Sequence, residues 1–176
     1  MDYRSHYPLP LRWLSNGVDV TLALAGFSIV SLVFINALLR GAAGFDLAWS
    51  LEVTAFLLLW STFLGCSAAI ARGAHMRVTE IVERLFSVRS QRILSIAIDI
   101  IIVLIMLSLI KTGFDISAHT WDQKTTVLYW PVGLLYASMP VGIALSLIFH
   151  IYNLIHDVRF PTQLEGHHND GAEDHA

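Results

Sequence analysis

Residues 17–39 read GVDVTLALAGFSIVSLVFINALL, and this stretch decides the fold class. An α-helix needs about 20 predominantly apolar residues to cross the hydrocarbon core of a bilayer. Three further runs of similar length and composition follow it, so that the predicted spans are residues 17–39, 47–71, 93–112 and 132–155. The sequence therefore predicts an all-α membrane protein with four transmembrane helices.

The composition agrees with this prediction. Hydrophobic residues make up 55% of the 176 residues and the mean hydropathy is +0.61, which leaves too little polar surface to cover a soluble globule. The first run is too long for a signal peptide, and Pro8, Pro10 and Trp13 stand where a short basic segment would be expected. We therefore expect a retained helix after an N-terminal segment, residues 1–16. Cys66 is the only cysteine and lies inside the second span, which excludes a disulfide and a thiolate metal site.

The distribution of Lys and Arg predicts the orientation. The connections between spans one and two and between spans three and four hold three of these residues: Arg40, Lys111 and Lys124. The N-terminal segment and the middle connection hold seven: Arg4, Arg12, Arg72, Arg77, Arg84, Arg89 and Arg92. By the positive-inside rule, both termini and the middle connection are cytoplasmic.

Two segments outside the spans have distinct patterns. In residues 76–88 the apolar side chains recur at helical spacing, with charged residues on the opposite face, which predicts an amphipathic helix lying on the cytoplasmic membrane surface. Residues 157–176 are rich in Gly, His and acidic residues without periodicity, so we expect a disordered cytoplasmic tail.

Ionisable residues within spans are the candidates for chemistry, because burying them in lipid is costly. Asp19 and Glu52 lie near opposite boundaries, where Arg12 and Arg40 could pair with them. Asp99 lies deeper, either as a proton or cation site, or in a helix–helix hydrogen bond or a pair with a cytoplasmic arginine. His150 is the only histidine within a span, so two facing haem ligands are not available. We expect no catalytic residues, no cofactor, no metal site and no nucleic-acid partner.

Four segments appear in a recognisable order. They are FINALLR at residues 34–40, LWSTFLG at 59–65 after the acidic start Ser50-Leu-Glu52, ARGAHMRV at 71–78, and WPVGLLYASMPVG at 130–142. Together they resemble the small membrane subunit (the Q subunit) of tripartite ATP-independent periplasmic (TRAP) transporters. The resemblance covers about residues 17–155.

This resemblance implies a non-catalytic scaffold subunit in the bacterial inner membrane. Its expected partners are a large elevator-type membrane subunit, a periplasmic substrate-binding protein that delivers an organic acid for sodium-driven uptake, and membrane lipids. The outer loop, about residues 113–130, would be a docking surface for the binding protein.

From the resemblance to the Q subunit we derive a hypothesis for the role of each motif position. An Arg40–Glu52 ion pair, near Asn36, would join the outer ends of spans one and two. Arg72 and His75 would fix the turn into the surface helix, with Arg72 free to bind lipid phosphate. The remaining positions would shape packing against the large subunit or lipid: Trp60, Gly65, Pro140 and Gly142.

Other classes remain open at this point. One is a self-contained proton-coupled transporter with four spans, which would need a carboxylate near mid-span. Another is a membrane enzyme or haem protein, which the histidine positions disfavour. A third is an assembly or regulatory membrane protein. The small-residue stripes at Ser61, Gly65, Ala69 and Gly73 and at Ser138, Gly142 and Ser146 fit packing within this chain or against another subunit.

Overall fold

A computed structural model describes residues 7–72 and 88–159, and all of its regular elements are helices. They are α1 (Leu9–Ala43), α2 (Ala48–Ala71), α3 (Val88–His119), α4 (Val132–Tyr136) and α5 (Ser138–Arg159). Within the described ranges, four helical stretches are long and apolar enough to cross a membrane: Leu9–Ala43, Ala48–Ala71, Ile96–His119 and Val132–His156. The prediction of four helical spans is confirmed.

The helices extend beyond the predicted spans. Helix α1 begins at Leu9 rather than at residue 17, and α3 continues to His119 rather than ending at residue 112. Hydropathy marks the part of a helix that lies in hydrocarbon, whereas the backbone hydrogen bonds continue into the polar boundary. Pro8 and Pro10 are compatible with this early start, because a helix tolerates proline where its first N–H groups have no intrahelical partner.

Two predicted segments fall largely outside the described residues. Of the predicted amphipathic helix, residues 76–88, only Val88 is described, and it opens α3. Helix α5 continues to Arg159, so residues 157–159 are helical rather than part of a disordered tail. The rest of the predicted tail lies outside the described ranges.

The four spans form an open row rather than a closed bundle. Helix α2 packs against α1 on one side and α5 on the other, and α5 packs in turn against α3. The most apolar part of α1 is not buried at all, whereas 33% of the corresponding part of the fourth span is buried. Helices α1 and α3 are thus the edges of the row, and most of their apolar surface is available to lipid or to another protein.

The α2–α5 contact is the centre of the row, and Gly142 permits it. A Cβ atom at Gly142 would lie 2.5 Å from Phe63 Cβ and 2.7 Å from the Phe63 carbonyl oxygen. Ser138 and Ser146, one turn away on either side, are fully or nearly fully buried. This small-residue stripe therefore packs within the chain, as small residues commonly do between membrane helices.

The stripe on α2 faces elsewhere. A Cβ atom at Gly65 would meet no atom within 4 Å, and Ala69 is exposed. The two stripes are consequently not equivalent: the α5 stripe is buried within the chain, whereas Gly65 and Ala69 of α2 are left uncovered.

The fourth span is interrupted near Pro140. Helix α4 ends at Tyr136 and α5 begins at Ser138, with Ala137 between them. Proline lacks the N–H that would bind the carbonyl group four residues earlier, here that of Tyr136. A Cβ atom at Gly113 of α3 would lie 2.9 Å from Pro140 Cδ, so the interruption packs closely against α3.

Candidate functional site

The functional candidates lie at the two ends of the row. The loop end comprises the α1–α2 connection with the adjacent helix ends, and the α3–α4 loop, residues 120–131. The termini end comprises the start of α1, the end of α2 and the last turns of α5.

At the loop end, the carboxylate of Glu52 holds the tip of the α3–α4 loop. The backbone N–H groups of Val127 and Leu128 donate to Glu52 Oε1 and Oε2, both at 2.8 Å, and Thr126 Oγ1 donates to Oε1 at 3.1 Å. Successive backbone N–H groups form a natural anion-binding concavity. Glu52 is therefore a structural anchor between α2 and the loop.

The loop has a defined hairpin-like shape. Lys124 and Pro131 form an antiparallel bridge, and the Thr125 N–H donates to the Trp130 carbonyl at 2.9 Å. Tyr129 has a φ of 55°, in the left-handed region that non-glycine residues rarely occupy. Because the loop tip returns to Glu52, α2 and the α3–α4 loop form one surface.

The expected Arg40–Glu52 ion pair is not formed in the part of the chain that the structure describes. The prediction paired Glu52 with the nearest cation in sequence, whereas the loop more than 70 residues away supplies two backbone N–H groups. Arg40 is exposed and lies in the wall of a groove instead.

Asn36 fixes the connection between α1 and α2. Its Oδ1 accepts the backbone N–H of Leu47, the residue before α2, at 2.8 Å. Gly44 ends α1 with a φ of 62°, which glycine adopts without steric cost, and its N–H donates to the Leu39 carbonyl. Asn36 and Gly44 together set the angle at which the chain enters α2.

The groove between α1 and α2 at the loop end has a volume of about 410 Å³. Its lining is Val33, Asn36, Ala37, Arg40, Gly41, Ser50, Leu51 and Thr54. It therefore combines one cation with several small polar groups and apolar side chains.

Trp60 joins α2 to α4. Its indole Nε1–H donates to the Leu134 carbonyl at 3.3 Å, in the short helix before the interruption at Pro140. Its ring packs against Phe56, which also contacts the edge of Trp130. Trp60 and Pro140 thus pack within the chain, between the central helices and the loop end.

At the termini end, Tyr7 is inserted among α2 and α5. Its hydroxyl donates to Asn153 Oδ1 at 2.8 Å and lies 3.3 Å from the Ala71 carbonyl. Its ring stacks on Phe149 at a centroid distance of 5.8 Å. The N-terminal segment is therefore tied to the end of α2 through α5.

Asn153 completes this arrangement at the end of α2. Its amide donates to the Ile70 carbonyl at 3.0 Å, so that it binds one of the carbonyl groups that a helix C-terminus leaves without an intrahelical partner. Both Asn153 and Tyr7 are nearly completely buried.

Arg72 binds within the chain as well. Its guanidinium Nη2 donates to Asp19 Oδ1 at 2.6 Å, joining the end of α2 to α1. We predicted Arg12 as the neighbour of Asp19, and a lipid phosphate as the partner of Arg72. Helix α2 ends beside Asp19, which brings Arg72 within reach of this carboxylate. His75, the other predicted anchor, lies outside the described residues.

Asp99 and His150 approach each other between α3 and α5. Asp99 Oδ1 lies 3.8 Å from His150 Nε2, and both side chains are largely buried. At this distance the two groups are close but not hydrogen-bonded to each other, and the role of Asp99 stays a prediction.

Sequence reasoning missed Tyr7 and Asn153. Tyr7 stands in a segment with no periodicity and no motif, so nothing in the sequence linked it to a residue 146 positions away. Asn153 offered a weak signal, since an amide in an apolar span needs a hydrogen-bond partner.

Comparisons with known proteins assign the chain to a class. Residues 29–160 match the model of the DctQ component of tripartite ATP-independent periplasmic transporters. The chain belongs to this family: it is the small membrane subunit of a TRAP transporter, a transporter component and not an enzyme.

Three relatives are similar at comparable identity. The ectoine TRAP transporter small permease protein TeaB of Halomonas elongata is 26% identical over 138 residues, covering 77% of this chain and 71% of TeaB. A protein of Haemophilus influenzae named as a TRAP transporter small permease protein is 27% identical over 155 residues, covering 85% of this chain and 95% of that protein.

The third relative is longer. The isethionate TRAP transporter permease protein DctMQ of Oleidesulfovibrio alaskensis is 26% identical over 160 residues. The match covers 85% of this chain but only 25% of DctMQ, so the chain spans about a quarter of that relative.

Proposed function

We propose that this subunit is a scaffold for a larger, elevator-type membrane subunit that carries the sites for sodium and an organic acid. The observation that carries the proposal is the open row of spans. Its edge helix α1 and the Gly65 face of α2 are uncovered, and a larger membrane partner would cover them.

The relatives support a large membrane partner. In DctMQ, a segment similar to this chain is one quarter of a longer permease polypeptide, so the two parts are joined covalently there. The names of DctMQ and TeaB also give different solutes, isethionate and ectoine, although their identity to this chain is the same, 26%. Substrate selection by other subunits is consistent with this difference.

We further propose that the loop end faces the periplasm and contributes to docking a substrate-binding protein. The excess of Lys and Arg in the N-terminal segment and the middle connection, seven residues against three, supports this orientation in the inner membrane. The loop at residues 120–131 is held in one shape by Glu52, and a preorganised surface reduces the entropic cost of binding a partner.

Uptake by cells tests the proposal. Removal of the gene for this chain should abolish sodium-dependent uptake of at least one organic acid from a radiolabelled panel, and the wild-type gene should restore it. Unchanged uptake of every acid in the panel would contradict the proposed function.

A proton-coupled transporter formed by this chain alone is disfavoured by the positions of its carboxylates. Asp19 pairs with Arg72 and Glu52 binds the loop tip, so two of the three carboxylates in the spans are already engaged near the boundaries. Vesicles that contain only this chain should show the same pH-gradient-driven solute flux as empty vesicles. A flux above that background would favour the rival function.

A further inference from the structure

We propose that the groove between α1 and α2 binds one phospholipid, with its phosphate on Arg40 and the start of an acyl chain against the apolar wall. This inference is independent of the scaffold role and concerns Arg40 and Asn36, whose predicted partner Glu52 is bound by the α3–α4 loop instead. Three features support it: the hydrogen-bond donors at one end of the groove, the length of the groove along α1, and the apolar side chains in its lining.

The upper part of the groove is a set of donors without an anion from this chain. Glu52 is occupied by the α3–α4 loop, and no carboxylate within 4.0 Å pairs with Arg40 in the part of the chain that the structure describes. Asn36 uses its Oδ1 for Leu47, which leaves the Nδ2 hydrogens for a ligand. A guanidinium and an amide together can bind two oxygens of one phosphate.

A buried hydroxyl also lines this site. Ser50 is only 3% exposed and lines the groove at the start of α2, where its N–H donates to the Leu47 carbonyl at 2.9 Å. It belongs to the first turn of α2, where the helix dipole favours an anion and where no acidic residue is present.

The lower part of the groove fits an acyl chain. Val33 lies seven residues before Arg40 on α1, which corresponds to roughly 10 Å along the helix axis. Ala37 and Leu51 line the wall between these levels, and Thr54 is the one polar side chain on the α2 wall further along the helix. An anion site at the membrane boundary that continues into an apolar trough has the polarity of a phospholipid, whereas a soluble phosphate or carboxylate would use only the top.

Lipid binding to the purified full-length chain tests the inference. Native mass spectrometry with added phosphatidylglycerol should show one retained lipid, and Arg40→Gln should weaken its binding by about tenfold or more, the effect expected for losing a charge-assisted hydrogen bond. Arg12→Gln removes a cation at the opposite end of the row and should leave binding unchanged. Circular dichroism and monodisperse elution establish that each variant is folded.

A second variant tests the trough separately from the charge. Ala37→Phe fills the groove while keeping Arg40, and it should also reduce lipid retention. Equal retention by the wild type, Arg40→Gln and Ala37→Phe would overturn the inference. Displacement of phosphatidylglycerol by glycerol 3-phosphate at an equal concentration would overturn it too, because the site would then bind a free anion. A third result would overturn the inference: Arg40→Gln releases a co-purifying large subunit without changing lipid retention. The ligand of Arg40 would then be a carboxylate of that partner.

Discussion

Glu52, Asn36 and Asn153 share one mode of action: each binds main-chain groups of another element. Glu52 accepts N–H groups of the α3–α4 loop, Asn36 accepts the N–H before α2, and Asn153 donates to a carbonyl group at the end of α2. Backbone groups at helix ends and loops must be satisfied, and lipid offers no partners for them. These polar side chains therefore fix connections in the fold.

The loop anchor predicts the effect of Glu52→Gln. The neutral amide keeps one acceptor oxygen but replaces the other by a donor, so it cannot accept from both Val127 and Leu128. Amide hydrogen exchange of residues 124–131 should become several times faster in this variant. The control is Asp46→Asn, which neutralises an exposed carboxylate at the same end of the row. Equal exchange in both variants would contradict the anchor role.

The buried hydroxyl of Tyr7 predicts a loss of stability in Tyr7→Phe. The variant removes the 2.8 Å hydrogen bond to Asn153, and losing such a buried bond costs about 1–2 kcal/mol. The free energy of unfolding, measured by denaturing-detergent titration in mixed micelles, should fall by this amount. Tyr129→Phe, which removes an exposed hydroxyl, should leave it unchanged. Similar values for the two variants would show that the Tyr7 contact adds no stability.

The sequence predicted some of these residues but not their partners. The resemblance marked Asn36, Arg40 and Glu52, and the cost of a carboxylate in a span required a partner for Glu52. The partner is a loop more than 70 residues away, which no local spacing encodes. Asp19 is similar: the need for a cation was predictable, whereas the choice of Arg72 depends on where α2 ends beside α1.

Among the elements, α2 and α5 differ most in how they use their small residues. Both contain a glycine within a four-residue repeat of small side chains, so the sequence could predict the two packing faces but not which one faces inward. The structure separates them: Gly142 contacts the Phe63 backbone, whereas the space beside Gly65 is open.

This difference predicts opposite effects of the same substitution. Gly142→Ala would place a Cβ atom against Phe63 and force α2 and α5 apart, which should lower the free energy of unfolding by about 1–3 kcal/mol. Gly65→Ala meets no atom within 4 Å and should leave the stability unchanged or raise it by up to about 1 kcal/mol, because alanine favours the helix. The titration in mixed micelles measures both, and equal losses would contradict the assignment of the two faces.

At the scale of the whole molecule, hydropathy predicted the four spans but not their arrangement. Each span is apolar nearly all round, so periodicity does not indicate which side meets which neighbour. The row α1–α2–α5–α3 depends instead on the Gly142 contact and on the interruption before Pro140, both of which are details of packing. Because the faces of the row are uncovered, a larger membrane protein can pack against them.

The scaffold role is tested most directly by co-purification. A tagged copy of this chain is purified from its native membrane in mild detergent, and the stoichiometry of the polypeptides that accompany it is measured. We expect a stable complex with one larger multi-span polypeptide, which Gly65→Leu should weaken by filling the open face of α2 while the isolated chain keeps its stability. Recovery of this chain alone, or only with copies of itself, would contradict the scaffold role.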